Sequence, residues 1–226
     1  MGMMLPPGAV VAMALVSTVL APAVTNAAVG CTLNDPDRDI MRIFRGATSY
    51  TTEFIAVSDR GGDALAARIE EALGDTLDPV FEALDVPYAY YTVLNGREVI
   101  GRVQGVSQRG TFGGMQLILA TDPAGVIVDF YYQKLSSPEA KSFRADAFTD
   151  QFIGLTLADF LTRHETAKPD AEPNPVAAIE DPSQESSEDF EATLRGLTKN
   201  LLLLREFMLK TDGPGGADEE EGNADD

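Results

Sequence analysis

From Tyr88 to Val106 the chain reads YAYYTVLNGREVIGRVQGV. Aromatic and β-branched residues fill both halves, and Asn95-Gly96 divides them. That dipeptide accepts the positive φ angles of a two-residue hairpin turn, so the stretch predicts two strands, Tyr88–Leu94 and Glu98–Val106. Strands joined by so short a link pair antiparallel, and this pair decides the fold class. Toward the C-terminus, Ser107–Gly114 (SQRGTFGG) reads as a Gly-rich loop leading into a strand, Met115–Ala120. The turn Asp122-Pro123-Ala124-Gly125 then leads into Val126–Gln133. The result is a meander of at least four antiparallel strands.

Toward the N-terminus, Leu65, Ile69, Leu73, Leu77, Phe81 and Leu84 recur at helical spacing behind Asp63, a candidate cap, and Pro79 interrupts the run. Arg60-Gly61-Gly62 is a break, Tyr50–Val57 a candidate strand, and Ile40–Phe44 a short apolar helix or turn. Beyond the sheet, Asp146–Phe160 sets Phe148, Phe152, Leu155 and Leu157 around a break at Gly154. A Pro-rich acidic linker follows, and then Phe190, Leu194, Leu197, Leu201, Leu204 and Met208 form the apolar stripe of a last helix. This helix packs on the domain; docking to a partner helix is the alternative. The tail GPGGADEEEGNADD is too polar to form a core and reads as disordered. The expected fold is α+β, a twisted antiparallel sheet with helices packed on one side.

No charged residue precedes Asp35, and Gly8–Leu20 (GAVVAMALVSTVL) is a strongly apolar run followed by small residues. Such a leader is an export signal. The only cysteine, Cys31, ends Ala28-Val29-Gly30-Cys31, which resembles a bacterial lipobox with Ala28 where Leu is usual. Three readings stand: lipidation at Cys31, cleavage near Thr25-Asn26-Ala27, and an uncleaved helix over about Pro7–Val29. The two tethered readings outweigh free secretion, so the expected location is the membrane-anchored, extracytoplasmic (periplasmic) side of the cell envelope. The organisation is then a leader or anchor over 1–31, a domain over 32–165, a linker over 166–185, the last helix over 186–210 and the tail over 211–226.

The net charge is −19, of which −8 falls in residues 32–165 and −11 beyond them. That field repels phosphate backbones and disfavours nucleic-acid binding. A single cysteine excludes an internal disulfide and a thiolate metal cluster. His164, the only histidine, has no Gly-x-Ser-x-Gly elbow to serve, and with Glu165, Asp159 or Asp170 it makes at most a weak metal site. No catalytic residue and no metal site is assigned.

Several pieces in order carry a family likeness. They are Tyr91–Val93, Asn95-Gly96, Val99-Ile100-Gly101, Phe112-Gly113-Gly114, Asp122–Val128 and Phe148-Thr-Asp-Gln-Phe-Ile-Gly154. Together they resemble the FMN-binding domain family represented in the Rnf-type electron-transport complex and in the sodium-pumping NADH:quinone reductase. Flavinylated members carry FMN on the threonine of a Ser-Gly-Ala-Thr motif just before the last helix. Here Glu180–Ser187 reads EDPSQESS, without Gly-Ala-Thr, and Gly46-Ala47-Thr48 lies at the wrong end of the domain. The resemblance therefore implies noncovalent FMN, near Arg109, Gly110, Thr111, Gly113 and Gly114 of the Gly-rich loop and Ser136-Ser137 after the last strand. Arg102 and Arg109 flank the Gly-rich loop and are the candidates to meet an anionic ligand, ordinary surface pairs being the alternative. One tyrosine of each pair, Tyr90/Tyr91 and Tyr131/Tyr132, is expected to face the core, leaving the other open to stack on a flavin or simply exposed. The resemblance implies an electron-transfer or accessory component rather than a self-standing enzyme, with redox or membrane-complex proteins as partners. The alternative is a flavin-free scaffold or assembly component on the same fold.

Overall fold

The computed structural model describes residues 30–77, 86–164, 173–184 and 187–209. The leader, Pro79, Phe81 and Leu84, residues 166–172 and 185 of the linker, and the tail lie outside the described residues. Among the described residues no helix is long and apolar enough to cross a membrane.

Five antiparallel strands form one sheet in sequence order: β1 (Ser49–Ile55), β2 (Tyr88–Asn95), β3 (Glu98–Gly110), β4 (Gly113–Thr121) and β5 (Ile127–Lys134). The β2–β3 hairpin closes with Asn95 opposite Glu98 and with Gly96 at φ 63°, in the left-handed region that glycine enters at little cost. The Gly-rich stretch is not a loop. β3 and β4 extend into it until Gly110 faces Gly113, which leaves Thr111-Phe112 as a tight turn. The helices are α1 (Pro36–Ile43), α2 (Gly62–Leu73), α3 (Ala140–Phe143), α4 (Asp146–Thr149), α5 (Leu157–Leu161) and α6 (Glu188–Leu204). A π-helical turn, Arg205–Leu209, continues α6. Gly61, not Asp63, caps α2, and Gly74 at φ 69° ends it, so Leu77 lies past the helix.

One sheet face carries the main core. Tyr90, Val106, Leu117, Leu119, Phe130 and Tyr132 meet α2, α6 and a ring cluster of Phe143, Phe148, Phe152 and Phe160. Phe160 stacks on Phe152 at 6.5 Å, while Phe130–Phe152, Phe148–Phe152 and Phe143–Phe148 cross edge to face at 5.1–5.4 Å. That geometry sets the positive edge of one ring against the negative face of the next. Gly196 brings α6 close enough that a Cβ there would overlap the Leu117 side chain. Under the helix, Gln104 Nε2 donates to the Asn200 carbonyl at 3.1 Å and Lys199 Nζ donates to the Ser107 carbonyl.

The second face is covered as well, which corrects the expectation of helices on one side only. Residues 30–47, including α1, lie across it and bury Cys31, Leu33, Ile40, Phe44 and Ala47 against Tyr91, Val93, Val103 and Ile118. Polar pairs fix this cover. Tyr131 Oη donates to Asp39 Oδ2 at 2.8 Å, Leu33 N to Tyr91 Oη at 3.3 Å, and Arg42 pairs with Asp129 at 3.0 Å. Burial, then the bond to Asp39, pushes the Tyr131 phenol far above its usual range. Gly101 and Gly105 admit the covering segment. A Cβ on Gly101 would strike the Phe44 ring, and one on Gly105 would stand 2.7 Å from Cys31 Sγ. Neither tyrosine of either pair is therefore left to stack on a ligand: all but Tyr131 are buried, and Tyr131 is spanned by Asp39 and by Arg42, 5.1 Å above its ring.

Candidate functional site

Four elements converge on the tip of the β3–β4 hairpin and leave a groove of about 720 Å³. The end of α2 supplies Glu71, Leu73 and Asp75; the end of β3 supplies Gln108–Thr111; and the end of α5 supplies Phe160, Arg163 and His164. From α6 come Glu188, Glu191, Ala192, Arg195 and Thr198, a stripe at three- and four-residue spacing beside the apolar stripe that faces the sheet.

The charges in the groove are nearly balanced, with four carboxylates against three guanidinium groups. Arg163 Nη2 lies 3.0 Å from Glu191 Oε2 and ties α5 to α6. Arg195 Nε lies 3.0 Å from Asp75 Oδ2, and its Nη2 donates to the Thr76 carbonyl at 3.1 Å, tying α2 to α6. The Arg195 Nε–H is buried yet not aligned on the carboxylate, so it makes no hydrogen bond. Arg163 Nε donates to His164 Nε2 at 2.8 Å. Leu73, Ala192 and the buried Phe160 supply an apolar wall.

The hairpin tip is already engaged. The Thr111 N–H donates to Asp189 Oδ1 at 2.8 Å, and Thr111 Oγ1 donates to Glu188 Oε2 at 3.1 Å. Asp189 is 4% exposed and stands in the first turn of α6, where the helix dipole favours an anion. Gly110 makes room for it, since a Cβ there would fall 2.8 Å from Asp189 Oδ1. The amide that a phosphate could have used is thus taken by the protein's own carboxylate.

Of the residues singled out in the sequence, Arg109, Gly110 and Thr111 line the groove. Gly113 and Gly114 sit just past the turn and do not. Ser136 and Ser137 do not line it either; they lie beside Gly113, whose ideal Cβ would be 3.9 Å from Ser136 Cβ, and Ser137 Oγ accepts the Glu139 N–H at 3.3 Å. Arg102 does not flank the tip. It is buried nearer the other end of β3, opposite Thr121, with Nη1 donating to the Pro123 carbonyl at 3.0 Å. Asp159 caps α5 through Thr156, and among the described residues no three His, Cys or acidic side chains come together to hold a metal. Arg163, Arg195 and Asp189 escape sequence reasoning. They are ordinary charges whose meaning comes from partners up to 120 residues away, and only the spacing of Glu188, Glu191 and Arg195 signals a common face.

Cys31 is 2% exposed against Gly105 and Ile118, while Gly30 N donates to the Pro87 carbonyl at 2.9 Å. An acyl thioether on that sulfur would require the segment around Cys31 to leave the sheet. No protein-family model and no curated protein matches this chain.

Proposed function

We propose that the domain is an extracytoplasmic, membrane-tethered electron-transfer module that holds FMN noncovalently in the groove at the β3–β4 tip. The observation that carries this reading is the groove itself: large enough for a flavin, walled by Leu73, Ala192 and Phe160, and edged by Arg163 and Arg195. The fit favours these two arginines over the hairpin for the phosphate, because Thr111 N–H is spent on Asp189 while the buried Arg195 Nε–H has no hydrogen bond. A phosphate there would compete with Glu191 and Asp75 for its partners. The covalent route has no support, as Glu180–Ser187 lacks the threonine motif. When bound, FMN supplies reversible electron transfer, and the protein's part is to orient it, shield it and set the charge around it. The leader supports a tethered, extracytoplasmic location. Redox proteins of a membrane complex are the partners this reading implies.

A second reading, the flavin-free scaffold, is favoured by one observation: Glu188 and Asp189 occupy the hairpin tip as an internal clamp. The two part cleanly on the full chain incubated with FMN and desalted. Retained flavin absorbance that is released on denaturation is the expected result. A folded, colourless chain would leave the scaffold reading.

A further inference from the structure

The two edges of the sheet are treated differently. At the β5 edge the protein closes its own ladder. Ile127 N donates to the Leu155 carbonyl at 2.9 Å, Gly154 N donates to the Ile127 carbonyl at 2.8 Å, and Arg144 Nη1 reaches the Tyr132 carbonyl. At the β1 edge nothing comparable occurs. Among the described residues, the backbone of Ser49–Ile55 pairs with β2 on one side only.

β1 carries only one of the features that keep an edge from pairing, the charge of Glu53. It runs for seven residues, SYTTEFI, without proline, glycine or lysine, and Thr51, Thr52, Glu53 and Phe54 are all exposed. An edge of this length with unpaired N–H and C=O groups is a template for another strand. The sequence of β1 also says which strand fits. Paired antiparallel with itself about Thr52, all seven residues find partners: Ser49 with Ile55, Tyr50 with Phe54, Thr51 with Glu53, and Thr52 with Thr52. Tyr50 and Phe54 lie on one face, so this register makes two aromatic cross-strand pairs around a threonine pair. Phe54 is 54% exposed and gains a neighbour by it. A register centred one residue later would set Glu53 against Glu53 and leave Ser49 and Tyr50 of each strand unpaired, so the charge selects the same register as the length does.

We propose that the open edge of β1 is the seam of a homodimer, in which two copies of this chain join edge to edge about a two-fold axis at Thr52. The sheets then run on as one of ten strands. This seam is independent of any ligand in the groove. Seven residues of pairing make an interface smaller than the standard size, so association is weak. With a net charge of −19 on each copy it strengthens as salt is raised.

A disulfide trap reads such a contact directly. Directly opposed residues of an antiparallel pair have Cα atoms roughly 4.5–5.5 Å apart, within the reach of a disulfide. In the full chain, Thr52→Cys is expected to form a disulfide dimer under mild oxidation at least ten-fold faster than Thr51→Cys or Ser58→Cys, with the wild-type chain, whose Cys31 is buried, as the blank. Thr51→Cys and Glu53→Cys chains are expected to cross-link to each other but not to themselves. Adding Phe54→Lys to Thr52→Cys is expected to abolish the advantage. Thr52→Cys reacting no faster than Ser58→Cys would overturn the proposal. So would a Thr52→Cys adduct with a different protein in membranes, which would assign the edge to a partner's strand instead.

Discussion

Phe152→Ala is expected to lower the unfolding free energy by about 4 kcal/mol. Phe152 is fully buried, and its ring meets Phe130 at 5.1 Å, Phe148 at 5.2 Å and, stacked, Phe160 at 6.5 Å. Truncation removes the transfer energy of one large ring and leaves a cavity that rigid aromatic neighbours cannot fill. The loss also spreads. Gly154 and Leu155, two and three residues on, close the β5 edge through Ile127, and Phe160 is part of the groove wall. For a domain of this size the melting temperature should fall by about 8–16 °C. Ile153→Ala is the control, since that neighbour is 50% exposed and its loss should stay within about 0.5 kcal/mol. Thermal unfolding of the two variants tests the point; equal, small shifts would show that the ring cluster is not the anchor of this end of the sheet.

Gly101→Ala, the addition of a single methyl group, is expected to cost about 3 kcal/mol. The new carbon would overlap the Phe44 ring and stand 2.6 Å from the Thr121 carbonyl oxygen. The ring can swing away, but the carbonyl belongs to β4 opposite Arg102 and cannot retreat without opening the β3–β4 ladder. Gly105→Ala meets its nearest atoms, Cys31 Sγ and Ile118 Cδ1, at the ends of side chains, and should cost less. In a double-mutant cycle Phe44→Ala should relieve part of the Gly101→Ala cost, because the two occupy one space. Strict additivity of the two would mean that residues 30–47 do not lie across β3 as described.

These two sites show what the sequence discloses and what it hides. The Asn95-Gly96 and Asp122–Gly125 turns, and the run of helical spacing from Phe190 to Met208, are local signals, and the meander and the last helix follow from them. The second cover of the sheet is harder to see. Cys31–Asp39 is polar and rich in turn residues, so it reads as a tether. The clue lay in the strands, because β4 is apolar on both faces: Leu117 and Leu119 turn to the main core, and Ile118 and Ala120 to the cover. A strand buried on both faces loses the alternation that marks a half-exposed one. The groove was half legible: glycines at the hairpin tip flag a special turn, yet Gly110 turns out to seat Asp189 rather than a ligand. Which side chains meet that tip from α2, α5 and α6 is a matter of long-range packing that no local pattern encodes.

The central claim is that a flavin sits between Arg163 and Arg195. Its most direct test is a fluorescence titration of FMN into the wild-type full chain and into the Arg163→Gln/Arg195→Gln variant, with both checked as folded by circular dichroism. Saturable binding by the wild type, weakened at least ten-fold in the variant, is the predicted result, and riboflavin, lacking the phosphate, should bind both alike. Equal FMN affinity in the two chains would remove the flavin from this groove, and no binding to either would leave a fold that works without one.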